Sequence, residues 1–108
     1  MTIRRGEIYL ADMPHQGKPR PAIILTANWL SQYARDVTVV PVTSVARANF
    51  PTRVELPAGE GGLQTRSWAK CDQVTTIPVS LLKTPAFGIL GAARLKEIEG
   101  AVRLALGF

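Results

Sequence analysis

"AARLKEIEGAVRLALG", residues 92–107, is the one stretch of this chain with a sustained helical period. Leu95, Ile98, Val102 and Leu106, with Ala101 and Ala105 beside them, fall on one face at the three-and-four spacing of an amphipathic helix. Gly91 precedes the stretch and Gly107 follows it, a stop signal of the kind that ends helices in a left-handed residue. Everything upstream has another rhythm. "EIYLA" (7–11) and "TRVEL" (52–56) alternate with the period of a strand, and "AIILT" (22–26) is short and continuously apolar, as in a strand covered on both faces. "VTVVPVTS" (37–44) is β-branched throughout, with Pro41 predicting an edge or a bulge. "SWAKCDQVTTI" (67–77) is long enough for a bent strand that serves two sheets, and "FGIL" (87–90) closes the series. The stretch "GEGG" (59–62) reads as a turn or mobile loop. Five to seven short strands and one terminal helix predict a mainly β chain: a small, strongly curved barrel with the C-terminal helix packed against it.

Size and composition agree with a single domain over residues 1–108. A hydrophobic fraction of 46% and a charged fraction of 19% are those of a compact globular chain. No run approaches the roughly 20 apolar residues that span a bilayer, which predicts no membrane partner, and "MTIRRGEIYL" is unlike a signal peptide; the expected location is cytoplasmic. Cys71 and His15 are the only cysteine and histidine, so an internal disulfide is impossible and a metal cluster within the chain is not expected. The formal charge of +5 favours polyanionic partners. Ten of the thirteen basic residues precede the helix and stand singly among apolar runs, which fits a folded basic face better than a disordered arm.

The inventory of reactive groups is small. Phosphate-binding glycine loops are absent, and the acidic residues are scattered singly, without the groupings that hold magnesium. Arginines, a lysine, hydroxyls and a few carboxylates remain, and these suffice for one reaction. RNA carries its own nucleophile, because the ribose 2′-OH can attack the adjacent phosphate. The protein then has to neutralise charge on the phosphoryl oxygens and move two protons. "KPRPAIIL" (18–25) supplies a suitable cation: Arg20 stands between Pro19 and Pro21, which restrict its backbone and that of Lys18. A guanidinium mounted so stiffly loses less on meeting a phosphate than a floppy one.

Read in order, "RRGEIYLADM", "KPRPAIILT", "VTVVPVTS", "FPTRVEL", "GGLQTRSWAKCDQVTTIP" and "LKEIEGAVRLALG" resemble the MazF/PemK toxins of bacterial toxin–antitoxin systems. The most specific pieces are Arg5-Gly6-Glu7-Ile8-Tyr9, Arg20-Pro21, Gly62-Leu63 with Ser67, and Asp72-Gln73. The resemblance implies an SH3-like barrel of the plasmid-maintenance-toxin type, a homodimer, and metal-independent cleavage of single-stranded RNA at a short preferred sequence. It implies no cofactor, and a cognate antitoxin whose acidic, flexible tail blocks the active face. It also implies that Arg20 and Thr43 are catalytic.

Asp72 matches an acidic residue with an active-site role in plasmid members, where an arginine stands two residues earlier. Here that position is Lys70, which contacts phosphate without the planar fork of a guanidinium. Asp72 is therefore either catalytic or a structural carboxylate that caps a bend or pairs with Arg5. His15, in the loop "MPHQGKP" (13–19), either transfers protons or is simply solvated. Gln16, Lys18, Ser44, Lys70 and Gln73 are candidates for substrate contact. Trp68 is expected in the core or a dimer contact, Trp29 is open between covering the barrel end and solvent, and Arg47, Arg53 and Arg66 read as supplying field and phosphate contacts, each individually dispensable. Two other readings compete: a poison on the same barrel that traps gyrase and cleaves nothing, and a small RNA-binding barrel without catalysis. Arg20 with Thr43 argues for the nuclease, since a gyrase binder has no need of that pair.

Overall fold

A computed structural model describes residues 2–14, 17–46 and 50–108. The elements run β1 (Glu7–Ala11), β2 (Arg20–Ile24), α1 (Asn28–Ser31), β3 (Asp36–Thr43), β4 (Arg53–Leu56), β5 (Ser67–Lys70), β6 (Thr75–Pro78), β7 (Leu82–Ile89) and α2 (Ala92–Leu106). Among the described residues the strands form one antiparallel sheet in the order β4-β5-β3-β2-β1-β7, with β6 also paired to β3. The mainly β architecture with a C-terminal helix is the one the sequence predicts. The sheet is not closed into a barrel, because its end strands β4 and β7 form no ladder among the described residues. It nevertheless wraps a core: Leu56 of β4 and Leu90 just beyond β7 belong to one buried cluster with Ile8, Ile23 and Val40.

Strand alternation divides that core between two faces. Ile8, Ile23, Val40 and Val42 point to the side covered by α2, while Tyr9, Ala22, Ile24, Val37 and Val39 point to the other. β2 is thus covered on both faces, as its continuous apolar run implies. On α2, Ile98 is fully buried and Ala101 and Val102 nearly so; truncating a residue in the position of Ile98 costs about 2–5 kcal/mol. The apolar stripe extends further in sequence than in space. Leu104 and Leu106 are more than half exposed, so the last turn stands outside the core. Gly107 ends the helix with φ 81°, its N–H donating to the Arg103 carbonyl.

Three local readings are corrected. Pro41 sits in neither an edge strand nor a bulge but in β3, the most paired strand of the sheet. The Leu25 N–H donates to the Thr38 carbonyl, so the alternation turns the nitrogen of Pro41 away from β2. On that side the β6 ladder has ended at Val39 and the β5 ladder begins at Val42, so no hydrogen bond is lost. Residues 67–77 serve two ladders as expected, but as two strands separated by a turn in which Gln73 N–H donates to the Lys70 carbonyl. β7 starts at Leu82, well before "FGIL". Its register against β1 slips between Ile8 and Leu10, and Pro85 falls within that slip, where a missing donor is tolerated.

The glycine-rich stretch is fixed rather than mobile in design. Residues 60–62 form a short 3-10 turn, and Gly59, Gly61 and Gly62 all have positive φ. A Cβ on Gly62 would come within 2.0 Å of the Phe87 carbonyl oxygen, and one on Gly88 within 2.8 Å of the Gly61 carbonyl oxygen. The turn therefore lies directly on the backbone of β7, across the gap that the sheet leaves open.

Candidate functional site

The register of β2 against β3 pairs Ala22 with Pro41, Ile23 with Val40 and Ile24 with Val39. Continued two residues outward, the same register sets Arg20 opposite Thr43. Thr43 in turn pairs with Trp68 of β5, and Arg53 of β4 pairs with Lys70 of β5. Opposed residues of antiparallel strands share a face, so Arg20, Thr43, Lys70 and Arg53 lie on one side of the sheet although they are up to 50 residues apart in sequence.

Arg20 and Thr43 both line a cavity of about 350 Å³. Pro19, Pro21, Val42 and Ser44 line it beside them, together with residues 62–65, Ser67 and Phe87. Arg20 is half-buried, and its Nε is buried without a hydrogen-bond partner among the described residues. The Thr43 Oγ1 accepts a bond of 3.1 Å from the Val45 N–H. That bond fixes the oxygen while leaving its proton free to be donated.

Next to this pair the cations crowd. The Lys70 ammonium is held below the usual lysine value, first by burial, then by the Arg53 and Arg20 guanidinium groups, with Asp72 opposing. The Arg53 side chain is only 10% exposed, and its one carboxylate contact among the described residues is Asp72 Oδ1 at 3.8 Å. Its Nε, like the neighbouring Thr52 Oγ1, is buried without a partner among the described residues. Unsatisfied guanidinium nitrogens facing like charge are costly unless an anion completes them. The arrangement is chemically prepared for a phosphate.

The other predicted residues divide. Ser44 is exposed and lines the cavity, whereas Lys18, Lys70, Asp72 and Gln73 lie outside its walls, with Lys18, Asp72 and Gln73 exposed. His15 and Gln16 lie outside the described residues, as does Arg47. Asp72 does not pair with Arg5: that guanidinium binds the Glu99 carboxylate and donates from Nε to the Leu25 carbonyl. Trp68 is buried as expected, with Arg66 stacked over its ring at 5.0 Å. Trp29 is 66% exposed, which decides the alternative left open by sequence. Arg66 is bound bidentately by Glu55 and so is not a free field charge. Arg53 was undervalued by sequence reading. Alternation in "TRVEL" assigns it a face, but only the ladder to β5 brings it to Lys70.

Comparison with known proteins adds independent findings. A family model described as PemK-like, MazF-like toxin of type II toxin-antitoxin system matches residues 4–106. The chain is 30% identical over 111 residues to an endoribonuclease MazF of Staphylococcus saprophyticus, covering 97% of this chain and 92% of that protein. Among solved structures it is similar to the Mycobacterium tuberculosis toxin MazF-mt6, with 31% identity, a TM-score of 0.83, and coverage of 94% of this chain and 97% of that one. A mycobacterial endoribonuclease solved in complex with its cognate antitoxin has a TM-score of 0.84 at 24% identity, covering 98% and 96% of the two chains, and supports the fold.

Proposed function

This chain belongs to the PemK-like, MazF-like toxin family of type II toxin–antitoxin systems, and we propose from that premise that it is an endoribonuclease that cuts single-stranded RNA without a metal. The ribose 2′-hydroxyl loses its proton to solvent as its oxygen attacks the adjacent phosphorus, and the bond from phosphorus to the 5′-oxygen breaks as that oxygen takes up a proton from solvent. The products are a 2′,3′-cyclic phosphate, or the 3′-phosphate formed by its hydrolysis, and a 5′-hydroxyl. Arg20 carries the negative charge that builds on the phosphoryl oxygens, and the Thr43 hydroxyl donates to one of them. The observation that carries this reading is the cross-strand apposition of Arg20 and Thr43 at one cavity. Lys70 and Arg53 extend the positive field along the same face and hold the flanking backbone phosphate. The active form is a homodimer, and the same uncompensated charge is what an antitoxin's acidic tail would cover.

Incubation with single-stranded RNA in EDTA tests the reading. Cleavage should leave 5′-hydroxyl ends, and Arg20→Ala should remove it. Thr43→Val, which deletes the hydroxyl at similar volume, should slow cleavage by about 10²-fold, the scale of one lost transition-state donor, while RNA binding changes little. Equal losses in rate and binding would make Thr43 a binding residue. Intact RNA after incubation with the unmutated protein at many sequences would end the nuclease reading.

A further inference from the structure

Two parts of the cavity lining differ in chemistry. The β2 and β3 part of its lining carries Arg20 with Thr43 and Ser44, whereas the part formed by residues 62–65, Ser67 and Phe87 holds no charge. Arg66 belongs to that segment in sequence but is spent on Glu55 and on the face of Trp68. We infer that this neutral wall is a nucleobase subsite, in which Phe87 is the stacking platform and the Gln64 amide reads the base edge; the inference rests on the RNA reading of the site given above.

Three observations support it. Phe87 is a large apolar side chain left 43% exposed where it lines a cavity, which suits a base ring rather than a phosphate. Its position is built in, because Gly62 and Gly88 bring the 59–62 turn into direct backbone contact with β7 at the Phe87–Gly88 peptide. A wall fixed in this way is preformed and needs no ordering when RNA arrives. Gln64 is exposed, lines the same cavity, and its amide has no hydrogen-bond partner among the described residues. An amide carries both a donor and an acceptor and so matches an edge of a base. Ser67, by contrast, is spent: its hydroxyl donates to the Thr65 carbonyl at 2.9 Å and holds the end of the wall in shape. The volume of about 350 Å³ is that of a small-ligand pocket and admits one base beside its phosphate. Base and phosphate would then be held by different parts of the lining of a single cavity, which ties sequence choice to the position of the bond that breaks.

The test uses a random pool of 2′-fluoro RNA strands, which lack the attacking hydroxyl, so binding is read without cleavage. The unmutated protein should enrich one base at a single position, by about tenfold for one amide contact. Gln64→Ala should erase that preference while overall affinity changes little. Phe87→Ala should weaken binding to all sequences by about tenfold, and Phe87→Trp, which keeps a ring, should restore it. Unchanged preferences in Gln64→Ala together with unchanged affinity in Phe87→Ala overturn the subsite. A pool bound with no base preference at all also overturns it. If the unmutated protein never cuts ordinary RNA and yet these shifts occur, the subsite stands and the nuclease reading falls.

Discussion

The arginines around the helix and those at the open ends of β2 and β4 look alike in sequence and live in opposite circumstances. Arg94 reaches Glu60 at 3.5 Å and Glu97 at 3.3 Å, and the same Glu60 accepts the Gly91 N–H, so the start of α2 is tied to the glycine-rich turn. Arg5 is held by Glu99 and the Leu25 carbonyl. Arg20, in contrast, has a buried Nε with no partner among the described residues, and Arg53 and Lys70 share the single carboxylate of Asp72. The first group holds the helix to the sheet. The second is an uncompensated positive row that stays favourable only when an anion is present, which is how a surface charge differs from a binding site.

The strongest way to break this contrast is to delete one cation from each region. Arg20→Ala should lower single-turnover RNA cleavage by about 10³-fold, since it removes the group that meets developing charge. Its stability in urea should stay the same or rise slightly, because a buried nitrogen without a partner and one like charge beside Lys70 disappear together. Arg94→Ala should do the reverse: about 1 kcal/mol of stability lost through its partly exposed ion pairs, with cleavage per folded molecule retained. If Arg94→Ala impaired cleavage as much as Arg20→Ala, the division into holding and binding cations would be wrong.

How the cations divide explains what was legible beforehand. The strand β1 and the helix α2 could be read residue by residue, because their apolar periods are set by the face each buries. The mounting of Arg20 between prolines was legible for the same local reason. The meeting of Lys70 with Arg53 was not, since it depends on the β4–β5 register, and no local pattern encodes which strand pairs with which. Pro41 misled because proline marks a missing donor without telling whether the sheet needs one at that point. The glycine-rich stretch left a turn and a mobile loop both open, and the turn is what forms. Its composition permits mobility, but Gly61 and Gly62 are required because neighbouring atoms leave no space for a Cβ. Leu106 continues the helical stripe in sequence, but burial on the helix stops at Val102.

A medium-sized effect would sharpen the role of Asp72, the carboxylate that contacts Arg53. If Asp72 is a counterion, Asp72→Asn should tighten RNA binding by about threefold, strengthen the dependence of affinity on salt, and leave the cleavage step itself little changed. If it moves a proton in the reaction, the same variant should bind RNA normally and lose cleavage by about 10²-fold. The 3.8 Å contact to Arg53 and the position of Asp72 outside the cavity walls favour the first outcome. Measuring rate and affinity on one preparation separates the two.

The smallest effect is the most direct reading of the row's electrostatics. Burial is the main cause of the lowered Lys70 pKa and Arg53 the second, so Arg53→Gln should raise it part of the way back toward the ordinary lysine value of 10.5 and not further. Competitive labelling of Lys70 against pH would follow the shift. The sign for stability follows from proton counting. Between the lowered folded value and 10.5 the unfolded chain holds more protons at this lysine, so its contribution to stability grows as pH rises through that window. In Arg53→Gln the window narrows and the slope should flatten. Cys71 works against this at higher pH: burial pushes its thiol from 9.0 to about 12, so the unfolded chain ionises first and stability falls between those values. Lys70 should therefore be read in Cys71→Ala. A Lys70 pKa that does not move when Arg53 loses its charge would mean that the β4–β5 register does not couple the two cations, and Arg53 would then have to be counted among the charges that merely hold the fold.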